Sequence, residues 1–511
     1  GTQVLGEQCF RRCENLIYFD MGPDVTEIRS YAFWQASALS VVYFTKVGSL
    51  PAVSADAFEG CTEGLCLRIT GYHSAHANED WHVSSIKSHV IVDQVPNEVW
   101  IHFDGNPSVF PDAVDQKMAN AFLKEDGSVI SRVGYCGLNQ SFEVSPMVVF
   151  PEDLGNQVFV VKYSDTIKQV AANAFDGTGG TIDYISLPPF VTTIGENAFK
   201  GLTNLKKFPG GDTDLIDPAN SITSIGEYAF DGCVTMTGSV PAPEVTSLGK
   251  SAFATCQNIT GVTLGAVTSI PEAAFRDCTS LQRVNVVLYD LASIGQNAFY
   301  NCPSLIKVNS PALGDYVYIG NVTEIGTSAF AHTGIELVEA NRAQVVGASA
   351  FADCPNLWRV EFPKATTFAN SCFRDDVLLT TVIAPEVSLV QANAFYNCSK
   401  LTTLNLPSIE VIGDRAFAYT RSLTTLKLGE NLSSIGELVF ANSAQPQNYN
   451  QMKIYFYGNP LSWDWRTSFC YQTNQYFKFA EIHVPQGYDQ DVENSYQNDF
   501  GPVSGDVTGS L

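Results

Sequence analysis

Ser293-Ile294-Gly295-Gln296-Asn297-Ala298-Phe299-Tyr300-Asn301-Cys302-Pro303-Ser304-Leu305 is the stretch that decides the fold, because the chain returns to it throughout. The Ala-Phe pair or a close variant recurs at Phe10, Phe33, Phe58, Phe175, Phe199, Phe230, Phe253, Phe275, Phe299, Phe330, Phe351, Phe373, Phe395, Phe417 and Phe440. Most spacings fall between 21 and 25 residues, two are 31, and one long gap separates Phe58 from Phe175. Five residues before the Phe stands an apolar residue (Ile194, Ile225, Leu248, Ile270, Ile294, Ile325, Ile412, Ile435). Gly usually follows it, as at Gly195, Gly226, Gly249, Gly295, Gly326 and Gly413. Cys often lies three after the Phe, and Leu or a relative six after, with apolar residues again at nine and eleven. Self-similarity at this period is the signature of a repeat solenoid.

The physics of one unit follows from these offsets. The Leu-x-x-Val-x-Leu stretch ends with period-two burial, which predicts a short strand with one buried face. The Gly allows a tight turn or a close backbone approach. The small Ala lets adjacent coils come together, and the Phe fills the space between the two sides of the coil. One unit cannot bury its own apolar face, whereas units stacked in parallel can.

The pattern from Ser293 to Leu305 resembles the BspA-like leucine-rich repeats, over about three quarters of the chain. That family is typical of surface and secreted proteins of gut and oral bacteria, and it occurs in some parasitic protists. The resemblance implies a right-handed leucine-rich-repeat solenoid. Its parallel β-sheet would line the concave face, with short turns, 3-10 or helical pieces on the convex side and a repeat of about 22–24 residues. It also implies extracellular or cell-surface display and adhesion to host proteins or other cells, and it implies no catalytic residue.

Along the chain we read a first repeat block over 1–66 and a capping segment over 67–94, where Gly71-Tyr72 and Trp81 stand at places familiar from the family. A cap is needed because an open parallel edge invites pairing with another chain. Residues 95–165 read as a linking β-rich or degenerate-repeat segment, in which Ala121-Phe122 imitates the motif without its preceding Ile and Gly. A second repeat block spans 166–445. A C-terminal cap spans 446–511, with Trp463, Trp465, Phe469 and Tyr471 followed by Ile482-His483-Val484-Pro485-Gln486-Gly487-Tyr488. The two longer units carry extra loops at 210–217 and 314–320, and such insertions often edge a binding face.

The composition bounds the function. With 29 basic and 53 acidic residues the formal net charge is −24, opposite to that of a duplex nucleic-acid binder. No run of 18 apolar residues spans a membrane, and no signal peptide is visible at Gly1. Among the motifs of catalysis, no Walker loop, G-x-G-x-x-G, H-E-x-x-H or G-x-S-x-G is present, so no catalytic residue and no cofactor is expected.

Thirteen cysteines raise the question of disulfides or metal. Cys13, Cys61, Cys233, Cys256, Cys278, Cys302, Cys354 and Cys398 share one repeat offset, while Cys9 and Cys372 take the Ala slot; Cys66, Cys136 and Cys470 are out of register. Side chains in one column point the same way, and a disulfide needs vectors that face each other. The expectation is a ladder of buried thiols with few or no disulfides. His73, His76, His82 and His89 cluster with Glu79 and Asp80, but their spacings match no standard zinc site, and solvated cap residues are the plainer reading. Asp212, Asp214 and Asp217 offer oxygen ligands for calcium without the distal Glu of a full loop, so a solvated acidic loop is the plainer reading there. No metal site is expected from either.

One surface feature stands out. Residues eight and ten after the Phe should point away from the core, and there Lys207, Arg283, Lys307, Arg359 and Lys427 face a single acidic residue, Glu361. Asn285, Asn309, Thr381, Thr403 and Asn405 flank them. These eleven residues form the candidate ligand-binding face, able to hold an acidic protein or glycan through charge-assisted bonds. The bland alternative is a set of solvated strand residues that suppress aggregation. The function expected is a non-enzymatic recognition and adhesion scaffold for a protein or glycan of a host or neighbouring cell, with no nucleic acid and no membrane insertion. A structural spacer and, third, a glycan-processing enzyme are the alternatives.

Overall fold

Around Phe299 the chain runs from a two-residue strand, Ser293–Ile294, through turns centred on the Phe, to a second strand, Lys307–Val308. Each part pairs with its counterpart in the preceding coil. The computed structural model describes residues 3–44, 51–61, 66–69, 90–92, 98–103, 117–137, 158–209, 221–286, 291–309, 316–443, 452–459, 481–492 and 503–507, short breaks at 14–15, 17, 22–23, 38, 40, 177, 189, 442 and 489–490 apart. The chain divides into two compact units, Gly1–Gln169 with Thr181–Val191, and Val170–Gly180 with Thr192–Leu511.

The second unit is a parallel β-solenoid. A broad ladder runs through Gly238–Ala242, Ile259–Leu264, Arg283–Val286, Lys307–Val308, Val317–Tyr318, Leu337–Glu339, Arg359–Glu361 and Thr381–Ile383, all parallel, with a register shift at Gly238/Ser239. A further parallel ladder takes in Thr403–Leu406, Thr425–Leu428, Lys453–Phe456, Glu481–Pro485 and Val503–Val507. The apolar residue five before the Phe builds a narrow parallel ladder of two-residue strands, as in Ile294 beside Ile325. The turn side carries a third set of inter-coil bonds: the amides of Asn297, Phe299 and Asn301 donate to the carbonyls of Thr327, Ala329 and Ala331 at 2.9, 2.8 and 2.9 Å. Of the alternatives read for this side, turns make up most of it among the described residues, with a 3-10 piece at Gly179–Thr181.

That third ladder explains residue choices on both sides of the Phe. Residues two before and two after it sit at positive φ: Asn297 at 55° and Asn301 at 57°, Ser349 at 53° and Asp353 at 57°, Asn393 at 58° and Asn397 at 59°. The left-handed region costs an L-residue roughly 1–2 kcal/mol and is tolerated best by Asn and Asp. Alternating handedness turns these amides along the solenoid axis, and the inter-coil bonds they make offset that cost. The Gly four before the Phe has a different reason. An added Cβ at Gly249 would lie 2.3 Å from the Glu227 amide nitrogen, and one at Gly326 2.6 Å from that of Gln296. Close approach of coils, not an unusual φ, demands Gly there.

The Phe rings fill the interior as a continuous stack. From Phe175 to Phe440 each ring lies 5.1–5.7 Å from the next. The Phe230–Phe253 planes are only 2° apart. All these rings are buried. Burying each is worth roughly 1.5–3 kcal/mol, which summed over the stack makes it the main support of the fold.

In the first unit Phe10, Phe33 and Phe58 stack in the same way, each pair 5.0 Å apart. Cys66–Ile69, which crosses from the first block into the stretch read as a cap, and Val90–Val92 within that stretch extend its parallel ladder. Within and just after 95–165, Glu98–Phe103, Arg132–Gly137, Val158–Tyr163 and Ile182–Ser186 make an antiparallel sheet. Phe122 meets Tyr163 edge-on at 5.1 Å, and the Tyr163 hydroxyl donates to the Met118 carbonyl at 2.9 Å.

Candidate functional site

The broad ladder sets the geometry of the candidate face. Burial alternates along its strands, as in Arg359–Glu361, where Val360 is buried between two half-buried residues, and likewise in Thr403–Leu406 of the following ladder, where Thr403 and Asn405 are exposed while Leu404 and Leu406 are buried. Parallel register then lines the outward residues into two columns. One runs Ser239, Gly261, Arg283, Lys307, then Leu337, Arg359 and Thr381, with Thr403, Thr425, Lys453 and Glu481 in the following ladder. The other runs Pro241, Thr263, Asn285, then Tyr318, Glu339, Glu361 and Ile383, with Asn405, Lys427, Tyr455 and His483 in the following ladder. Ten of the eleven residues singled out from spacing lie in or beside these strands. Lys207, half-buried, stands outside any assigned strand.

Their surroundings differ. Arg283 is exposed, and its side chain lies across Gly261 of the neighbouring strand, where a Cβ would meet the Arg283 Nε at 3.2 Å and the Ser239 Oγ at 3.1 Å. Gly261 is thus a notch that beds the arginine between two strands. No ion pair reaches Arg283 among the described residues. Arg359 is different: its guanidinium is held by Glu361, with Nε 2.7 Å from Oε1. Asn309 is occupied structurally, since its Oδ1 accepts the Val286 amide at 2.6 Å while its own φ is 49°. Lys427 lies 5.8 Å over the Tyr455 ring.

Spacing alone missed Leu337 and Glu339. Phe330 to Phe351 is 21 residues, so the outward positions of that coil fall one residue early. A second carboxylate, Glu339, therefore stands beside Glu361, and the basic stripe is interrupted there. Spacing also missed the end of the ladder. His483 stacks on Tyr455 at 4.1 Å with planes 4° apart. Its Nδ1 is 2.8 Å from Asp506 Oδ1 and its Nε2 2.9 Å from Glu481 Oε2, while Lys453 bridges to Glu481 at 2.8 Å. These hydrogen bonds hold both the Glu481 and Asp506 carboxyls below their usual range. Through these contacts His483 ties the strands Lys453–Phe456, Glu481–Pro485 and Val503–Val507 together.

The thiols form the expected column. Cys233, Cys256, Cys278 and Cys302 donate to the carbonyls of Phe199, Phe230, Phe253 and Phe275 in the preceding coils at 3.2, 3.1, 3.0 and 3.0 Å, and Cys354 and Cys398 do the same. Burial pushes the Cys61 thiol up to about 11 and those of the inner column higher, which leaves them as packing groups rather than nucleophiles. Among the described residues no group of three or more His, Cys, Asp or Glu is placed to hold a metal ion. The histidines at 73, 76, 82 and 89 with Glu79 and Asp80, the acidic loop Asp212, Asp214 and Asp217, and the aromatic residues at 463–471 lie outside the described residues.

A model described as the BspA type leucine rich repeat region matches residues 1–65, 156–212, 211–333 and 323–447, well over half of the chain. The chain belongs to the BspA-type leucine-rich-repeat family. Solved structures similar to this BspA-type chain include a leucine-rich repeat protein from Bacteroides ovatus, 19% identical over 67% of this chain and 89% of its own, with a TM-score of 0.40. The pneumococcal vaccine antigen PcpA is 16% identical over 69% of this chain and 87% of its own, with a TM-score of 0.41. A leucine rich cell surface protein from Faecalibacterium prausnitzii is 23% identical over 52% of this chain and 83% of its own, with a TM-score of 0.31. No curated protein matches the chain. No helix among the described residues is long and apolar enough to cross a membrane.

Proposed function

We propose that this BspA-type chain is a non-enzymatic recognition scaffold, displayed outside the cell, that holds an acidic protein or glycan of a host or neighbouring cell along the outward face of the broad ladder. The observation that carries this reading is the Arg283 seat: an exposed guanidinium, with no ion pair among the described residues, bedded over Gly261 with Ser239 beside it; Lys307 is next in the column. Arg359, four strands further on, is neutralised by its own coil, which concentrates the available positive charge at the Arg283 end.

The test is a glycan-array and extracellular-matrix binding screen with the wild-type chain and Arg283→Glu/Lys307→Glu. A hydrogen bond to a charged group contributes about 1.5–3 kcal/mol, so the double reversal should weaken an acidic ligand by more than about tenfold and remove much of its salt dependence. Unchanged affinity for the ligand found would overturn the placement, and no ligand in any screen would favour the spacer.

A further inference from the structure

The position three after the Phe is a donor slot in most coils, with Ala36 and Leu202 as apolar exceptions. Besides the thiols it holds Thr178, Thr333 and Thr420, whose hydroxyls donate to the carbonyls of their own Phe residues at 2.7 Å, and Ser443, which donates to the Phe417 carbonyl at 2.7 Å. In the coil of Phe373 the slot is filled by Asp376. That side chain is fully buried. Its Oδ1 accepts the Cys354 amide at 2.8 Å, and its Oδ2 has no hydrogen-bond partner. A carboxylate can only accept, so an ionised Asp376 would put an unpaired charge in a dry column and leave the slot without its donor. By the register of the column, the Phe351 carbonyl of the preceding coil is what a donor at this slot reaches, as Cys354 reaches Phe330 and Cys398 reaches Phe373. No described donor reaches the Phe351 carbonyl.

The groups facing Asp376 do not compensate a charge. Cys354 comes from the preceding coil, Cys372 and Asp375 from its own, Cys398 from the next, and Asp353 lies on the rim. None is a cation. The adjacent Arg374 points outward, pairing with Asp375 at 3.0 Å and lying 5.2 Å over the Tyr396 ring.

We propose that Asp376 sits in the native coil as an uncharged carboxylic acid whose hydroxyl donates to the Phe351 carbonyl, which makes this coil the point where the solenoid opens first as pH rises. The coil matters to the outward face because its strand Thr381–Ile383 pairs with Arg359–Glu361, so local opening disassembles one end of the broad ladder. Burial above all, with the charges of Asp353 and Asp375, lifts the Asp376 carboxyl well above the usual range, while the Cys354 amide opposes. The sign follows from a folded value raised above the unfolded one, about 3.9. The stabilisation is complete below that value and is lost as pH climbs through the raised folded value.

The experiment compares wild type, Asp376→Asn and Asp376→Cys. The infrared carbonyl stretch of a protonated carboxylic acid should be present in the wild type at neutral pH and missing in Asp376→Asn. Denaturant midpoints of the wild type should fall from pH 5 to pH 9 more steeply than those of either variant. Hydrogen exchange at pH 9, corrected for intrinsic rate, should show early opening around residues 371–383 in the wild type alone. The proposal is overturned if the band is absent from the wild type or if all three proteins share one pH slope. The wild-type band alone decides the protonation state even where a variant fails to fold.

Discussion

Replacing Phe330 by Ala removes one ring from the middle of an unbroken stack, and the cost can be worked from its neighbours. Phe330 is buried and lies 5.1 Å from Phe299 and 5.3 Å from Phe351. A buried Phe→Ala change costs about 3–5 kcal/mol through lost transfer energy and the cavity left behind. The two ring contacts add roughly 0.5–1.5 kcal/mol each beyond area, giving an upper estimate near 6–8 kcal/mol if the coils cannot close the gap. They cannot close it readily, because Gly326 already brings its backbone against Gln296. In a solenoid each coil leans only on its neighbours, so the loss falls on two interfaces. Denaturant unfolding followed by circular dichroism should then split into two transitions. Leu378→Ala, where the side chain is 43% exposed, serves as the control and should cost under about 1 kcal/mol. A Phe330→Ala protein that unfolds in one transition, within about 1 kcal/mol of wild type, would refute the stack as the source of stability.

Other consequences follow from the same geometry. Gly249→Ala should destabilise by more than the gain Ala normally brings in a loop, because its Cβ meets backbone at 2.3 Å; a rise in melting temperature would remove close approach as the reason for Gly. A thiol reagent should leave Cys233, Cys256, Cys278 and Cys302 unmodified in the native protein and label them on unfolding, and prompt native labelling would contradict the column. The depressed carboxyls of Glu481 and Asp506 give stability that is present above their unfolded values and lost as pH falls through the folded ones. Hydrogen exchange of Glu481–Pro485 should therefore quicken in acid, the opposite sense to Asp376, and His483→Gln should flatten that response.

The fold was legible because one coil is too small to hide its own apolar face, so its seven offsets recur wherever the stacking recurs. Ile294, Gly295, Phe299 and Cys302 each announce a different physical need, and each is met in the structure by a different contact. What stayed illegible lies where offsets slip or a side chain has two uses. The coil of Phe330 is one residue short after its Phe, which hides Glu339 from any count made at fixed spacing. Asn309 looks like a ligand-facing amide in sequence, yet a left-handed turn claims its oxygen for the Val286 amide. Arg283 and Arg359 are equivalent by offset and differ only through residues on other strands, Gly261 clearing space beside one and Glu361 binding the other. Asp376 breaks the column rule in a way the alignment of offsets shows at once, but only burial and the orphaned oxygen turn the exception into chemistry. Periodicity thus reports what every coil must do alike, and the candidate site is made of the places where one coil departs from its neighbours.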